Sequence, residues 1–138
     1  MFKELTERFY IILMYDELEE YEDAIDYLTE YIKNNPNDSI ALNNRGIAYA
    51  EIGKIDEAFL DLKDSIKLNA NETTPYRNIA DLLKSEDKID LAIKYYTTAL
   101  EFKKDEVALY KLRAECFEKI GEIELAIQDN KEAEKLQK

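Results

Sequence analysis

The chain has 138 residues, 36% charged and 46% apolar, with three glycines, two prolines and no histidine. So few turn-forming residues argue against a β-sandwich or barrel, and the missing histidine removes the usual general base and the commonest zinc ligand. A net charge of −12 repels phosphate backbones and anionic lipid surfaces, so neither nucleic acid nor membrane is an expected partner.

The single cysteine, Cys116, cannot form an internal disulfide and suits a reducing compartment. The longest apolar run, Phe9 to Tyr15, falls far short of the roughly 18 residues of a membrane span. The acidic stretch Asp16 to Glu20 follows it where a secretory leader would need small residues. The expectation is a cytoplasmic protein of one domain covering residues 1–138.

The chain repeats itself at a fixed step. Ala24, Ala58, Ala92 and Ala126 are evenly spaced, with no insertion between them. Ile12, Gly46, Ala80 and Ala114 form a mostly small column at the same step, and Tyr15, Tyr49, Leu83 and Phe117 a large one. Such a register divides the chain into four units, at about 5–38, 39–72, 73–106 and 107–138.

Each unit predicts two helices joined by a tight turn. In the first, Phe9 to Tyr15 is apolar around the whole helix. That helix either packs deeply on the second unit or presents a surface for a partner or a homodimer. The second helix of this unit begins in an acidic stretch, and residues 5–38 carry two-thirds of the excess charge: ten acids against two bases. A solvated helix start and a landing site for a basic partner both fit it.

In the second unit Ile55, Ala58, Phe59, Leu62 and Ile66 make an apolar stripe on one helix face, after a turn marked by Gly53. Asn34 to Asp38 separates the first two units. In the third unit, Thr74 before Pro75 predicts an N-cap followed by proline in the first turn. In the fourth, Asn130 and Glu134 replace the apolar residues of the columns Leu28, Leu62, Tyr96 and Ile32, Ile66, Leu100, which predicts a polar closing helix. Cys116 shares a column with Met14, Ala48 and Leu82 and is expected in the core. Carboxylates such as Glu115 and Glu118 read as a solvated face. No glycine-rich phosphate loop, calcium loop or catalytic constellation is present, so no enzyme activity, cofactor or metal is expected.

The 34-residue helix-turn-helix unit, with small residues at Gly46 and Ala58 and an aromatic at Tyr49, resembles the tetratricopeptide repeat. The resemblance covers residues 5–138. It departs from the family at Ile12, which is bulky where a small residue is usual, and at Arg8, which replaces a large apolar one. It implies an all-α solenoid, a right-handed superhelix of four hairpins acting as a protein-interaction scaffold.

In proteins this chain resembles, the first helices of successive repeats line a concave groove for an extended peptide or a helix. Carried over, the groove comprises Phe9, Tyr10, Leu13, Ile40, Asn43, Asn44, Ile47, Arg77, Asn78, Asp81, Lys111 and Glu115. Asn44 and Asn78 share one column, and a carboxamide can both donate to and accept from a peptide backbone. The cations that the family uses to hold a chaperone's C-terminal carboxylate are missing. Frames starting from the first and second repeats place Phe9, Leu13, Asn44, Thr74 and Asn78, or Asn43, Ile47, Asn78, Ala108 and Leu112, at those positions. The expected ligand carries hydrophobic anchors and a short mixed-charge tail, and the alternative is self-assembly through Phe9–Tyr15.

Overall fold

The computed structural model describes residues 20–138, and among them every regular element is an α-helix. The expectations placed on Phe9 to Tyr15 and on most of the acidic stretch lie outside the described residues. The helices are α1 Tyr21–Asn34, α2 Ser39–Glu51, α3 Ile55–Leu68, α4 Thr73–Ser85, α5 Ile89–Phe102, α6 Val107–Lys119 and α7 Ile123–Gln137. They fall into two compact units that meet in sequence between Leu68 and Asn69. The first holds α1 to α3 and the second α4 to α7.

Each complete repeat is a hairpin closed by the same turn. Gly53 and Gly121 stand at φ 82° and 80°, the left-handed region that glycine enters without a Cβ penalty. The amide of Lys54 donates to the Tyr49 carbonyl at 2.9 Å and that of Glu122 to Phe117 at 2.9 Å, satisfying carbonyls that the helix end leaves open. The third repeat makes the same bond from Lys88 to Leu83 at 2.8 Å, but with Asp87 at φ 60° in the glycine position.

The small columns allow close approach, as the sequence predicts. A Cβ on Gly46 would lie 2.9 Å from Leu62 Cγ, 3.1 Å from its Cδ2 and 3.2 Å from the Ala58 carbonyl oxygen. Any side chain there would push α2 off α3. Leu28 and Leu62 in the first unit and Tyr96 in the second, all of one large column, are fully buried. Ala48 and Ala58 are buried with the former, and Ile79, Ala92 and Cys116 with the latter. Burial also holds the Cys116 thiol above its ordinary pKa, consistent with a packed rather than a reactive group.

Two features differ from expectation. Thr74 is not the N-cap of α4: the helix starts at Thr73, after Glu72 in an extended conformation. Pro75 is still in the first turn, where its missing N–H has no intrahelical partner to lose. On α7, Asn130 and Glu134 are exposed as predicted, but Ile123 and Ile127 on the same stripe are 54% and 49% exposed. The polar switch therefore covers only the second half of that helix.

Candidate functional site

The first helices of the second, third and fourth repeats are α2, α4 and α6. Asp38 starts α2: its side chain accepts from the Ala41 amide at 3.1 Å and from the Tyr31 hydroxyl at 2.9 Å. This fixes the helix whose face carries Ile40, Asn44 and Ile47 at steps of four and three residues. Ile40 is 50% exposed, Asn44 and Ile47 are half-buried, and Asn43 is buried. Phe9, Tyr10 and Leu13 lie outside the described residues.

On α4, Arg77 and Asp81 occupy successive turns of one face, with Asn78 beside them and all three half-buried. On α6, Lys111 and Glu115 repeat the Arg77 and Asp81 positions one repeat later, and both are exposed. Asp81 and Glu115 are engaged. Asp81 accepts from the Tyr96 hydroxyl and lies 3.8 Å from Arg77 Nε. Glu115 takes the Lys84 ammonium, which links α6 directly to α4. Burial and then the Asp81 hydrogen bond raise the pKa of the Tyr96 hydroxyl, so it stays a donor.

Sequence reasoning missed Lys84, although it sits seven residues after Arg77 on the same helix face. It also missed a polar core that occurs twice. Arg45 on α2 donates from Nε to Asp61 Oδ2 at 2.7 Å and from Nη2 to Oδ1 at 2.8 Å, and from Nη1 to Thr29 Oγ1 at 3.3 Å. In the second unit Arg113 makes the same bonds to Asp129, at 2.8 and 2.7 Å, and to Thr97 at 3.2 Å.

Thr29 and Thr97 in turn donate to the Ile25 and Ile93 carbonyls, each at 2.7 Å. Tyr49 lies against the Arg45 guanidinium and Phe117 against that of Arg113, with centroid distances of 5.7 and 5.6 Å. The carboxylates are almost entirely buried, at 4% and 7% side-chain exposure, and their hydrogen bonds raise the pKa of each arginine. Both ends of each bidentate pair are satisfied, as burial of charge requires. Each set joins three consecutive helices and fixes the angle at which a first helix leaves the preceding repeat.

Among the described residues no group of three His, Cys, Asp or Glu side chains could hold a metal ion, and no helix is long and apolar enough to cross a membrane. Hairpins with a small-residue contact between paired helices, recurring at one constant step, set the frame for comparison with known proteins. Two tetratricopeptide repeat family models match, over residues 15–71 and 75–106. The chain belongs to the tetratricopeptide repeat family.

The tetratricopeptide fold extends across the solved structures it resembles. A crystal structure of MamA superposes with a TM-score of 0.82 at 22% identity, over 86% of this chain and 69% of that one. A second MamA crystal structure gives 0.79 at 22% identity, over 85% and 64%. MamA MSR-1 C2 gives 0.72 at 21% identity, over 85% and 67%. This chain thus spans about two-thirds of the length of those proteins, and the likeness is one of fold. No curated protein sequence matches it. As a tetratricopeptide repeat protein, the chain has the architecture of a protein-interaction scaffold.

Proposed function

We propose that this tetratricopeptide protein is a non-enzymatic scaffold that holds a peptide or helix of a partner protein against the faces of its first helices. The observation that carries this reading is the pattern on α2, α4 and α6. Ile40, Asn44, Ile47, Arg77, Asn78, Asp81, Lys111 and Glu115 recur on one helix face and are exposed or half-buried, while the opposite faces are consumed by packing. Asn43, buried beneath that face, supports α2 rather than meeting the ligand. Phe9, Tyr10 and Leu13 extend the same columns into the first repeat.

In this reading each unit offers one carboxamide of the shared asparagine column, Asn44 or Asn78, to a ligand backbone. Such contacts are insensitive to ligand side chains, so specificity comes from the neighbouring residues. Asn44→Ala combined with Asn78→Ala is expected to weaken partner capture about tenfold while leaving the helical circular dichroism unchanged. Affinity capture from cells followed by mass spectrometry, with wild type and the double variant side by side, measures this. Equal recovery of the same partners by both proteins would remove the asparagines from the site.

A further inference from the structure

The second helices repeat one apolar stripe, and its exposure changes along the chain. Ile89 on α5 is 7% exposed, and α6, the first helix of the next repeat, packs on α5. One repeat later Ile123 on α7 is 54% exposed, and Ile127 and Ile120, on the turns either side, are open as well. Within each unit such a stripe is covered by the first helix of the following repeat, α2 on α1 and α6 on α5. The stripe on α7 thus has the form of a stacking surface made for a first helix.

The columns of the polar core name that helix. Between the first and second repeats they hold Thr29, Arg45 and Asp61, and between the third and fourth Thr97, Arg113 and Asp129. Between the second and third they hold Lys63, Ile79 and Tyr95 instead. With the first repeat of a second copy placed after the fourth, the same columns hold Lys131, Ile11 and Tyr27. Lysine, isoleucine and tyrosine recur in order, so the two-repeat alternation runs in phase from one copy into the next. Leu82, buried in the third repeat, likewise has apolar Met14 as its counterpart in the first.

We propose that copies of this chain associate head to tail, the first repeat of one stacking on α7 of another. The contact is heterologous, so it propagates: every copy in a row leaves its other end open to a further copy. Burial of Ile120, Ile123 and Ile127 drives it. Asn130 and Glu134 stand where the second repeat has Leu62 and Ile66, and Arg8 where the third has Tyr76. The joint is therefore weaker than the stacking inside a chain, and reversible. A net charge of −12 on each copy opposes it, and salt screens that repulsion. The joint uses other surfaces than the exposed faces of α2, α4 and α6, so assembly and partner capture can fail separately.

Sedimentation velocity of the purified chain, over a wide concentration range at low and high salt, tests the joint. The mass is expected to rise past that of a dimer, more steeply at high salt. I123D/I127D should require about tenfold higher concentration to associate, and I11D should block the opposite end. The two variants mixed should form dimers and nothing larger, since only one end of each is intact. Ile123 and Ile127 are exposed, and circular dichroism checks that both variants fold. A small share of I123D/I127D added to wild type should also shorten the rows by capping them, which tests the joint without I11D. Assembly that stops at the dimer and is indifferent to I123D/I127D would overturn the head-to-tail joint. A monomer at every concentration and salt would overturn it as well.

Discussion

The two units carry the same polar core and use their remaining polar groups differently. In the first, Asp38 caps α2 and receives the Tyr31 hydroxyl, and the Ser65 hydroxyl donates to the Ser39 carbonyl at 2.7 Å. These bonds secure the connection between repeats. At the positions two repeats later the second unit has Glu106, Ala99 and Ala133, and Glu106 makes no cap hydrogen bond. The second unit ties its own connection with other residues, the Tyr110 hydroxyl donating to the Lys104 carbonyl at 2.9 Å, and adds bonds at the first-helix face, where Tyr96 engages Asp81 and Lys84 engages Glu115. A duplicated frame can keep its central brace while each copy secures its loop with different residues.

That contrast can be broken at its shared element. Asp61→Ala and Asp129→Ala each leave an arginine largely buried without its carboxylate, and each is expected to cost about 3 kcal/mol in urea-induced unfolding. Near-equal losses would establish the two cores as equivalent, whereas a loss confined to one would show that the repetition is of geometry and not of energy. An Arg45→Met, Asp61→Leu double variant should recover much of the loss, because an apolar pair satisfies the same space.

A second test separates the units, because only the second has a buried tyrosine in the large column. Tyr96 has its pKa raised in the folded state by burial and then by the bond to Asp81, so the neutral hydroxyl stabilises the fold below the unfolded pKa of about 10. As pH rises past that value the unfolded chain loses a proton that the folded chain keeps, and stability falls. By pH 11 the loss from this group is about 1.4 kcal/mol. Denaturation curves at pH 8 and 11 should show it for wild type, and Tyr96→Phe should remove that part of the slope.

The smallest effect concerns the turns. Asp87 holds the left-handed position that glycine fills in the second and fourth repeats. Asp87→Gly should raise stability by about 0.5 kcal/mol, the relief of φ strain being partly offset by a freer unfolded chain. A thermal midpoint that falls would show that the aspartate side chain compensates for its own backbone.

The constant step made the hairpins legible, because the alanine column and Gly46 mark where two helices touch, and Gly53 and Gly121 mark where they reverse. Cys116 could be placed in the core on its column alone. The face of the first helices could be listed, but not which of its charges remain available: nothing in the spacing of Asp81 and Glu115 reveals that Tyr96 and Lys84 claim them. The polar core was hidden for another reason. Along the column of Arg45 stand Ile79 and Arg113, and along that of Asp61 stand Tyr95 and Asp129. Read one repeat at a time, such columns look like noise, and an aspartate on a helix is ordinarily solvated. Read two repeats at a time, they alternate in phase with Thr29 and Thr97. That was the available signal.

The alternation gives the array a grammar of pairs. Each arginine takes its threonine from the repeat before it and its aspartate from its own, so it belongs to a sentence two repeats long. Removing the third repeat alone would leave Arg113 with Asp129 but set Lys63 in the column where Thr97 stands, a cation in place of the hydroxyl that the guanidinium meets. Removing or inserting two would keep every partner in step. The unit of growth for this protein, by duplication or by design, is the pair of repeats.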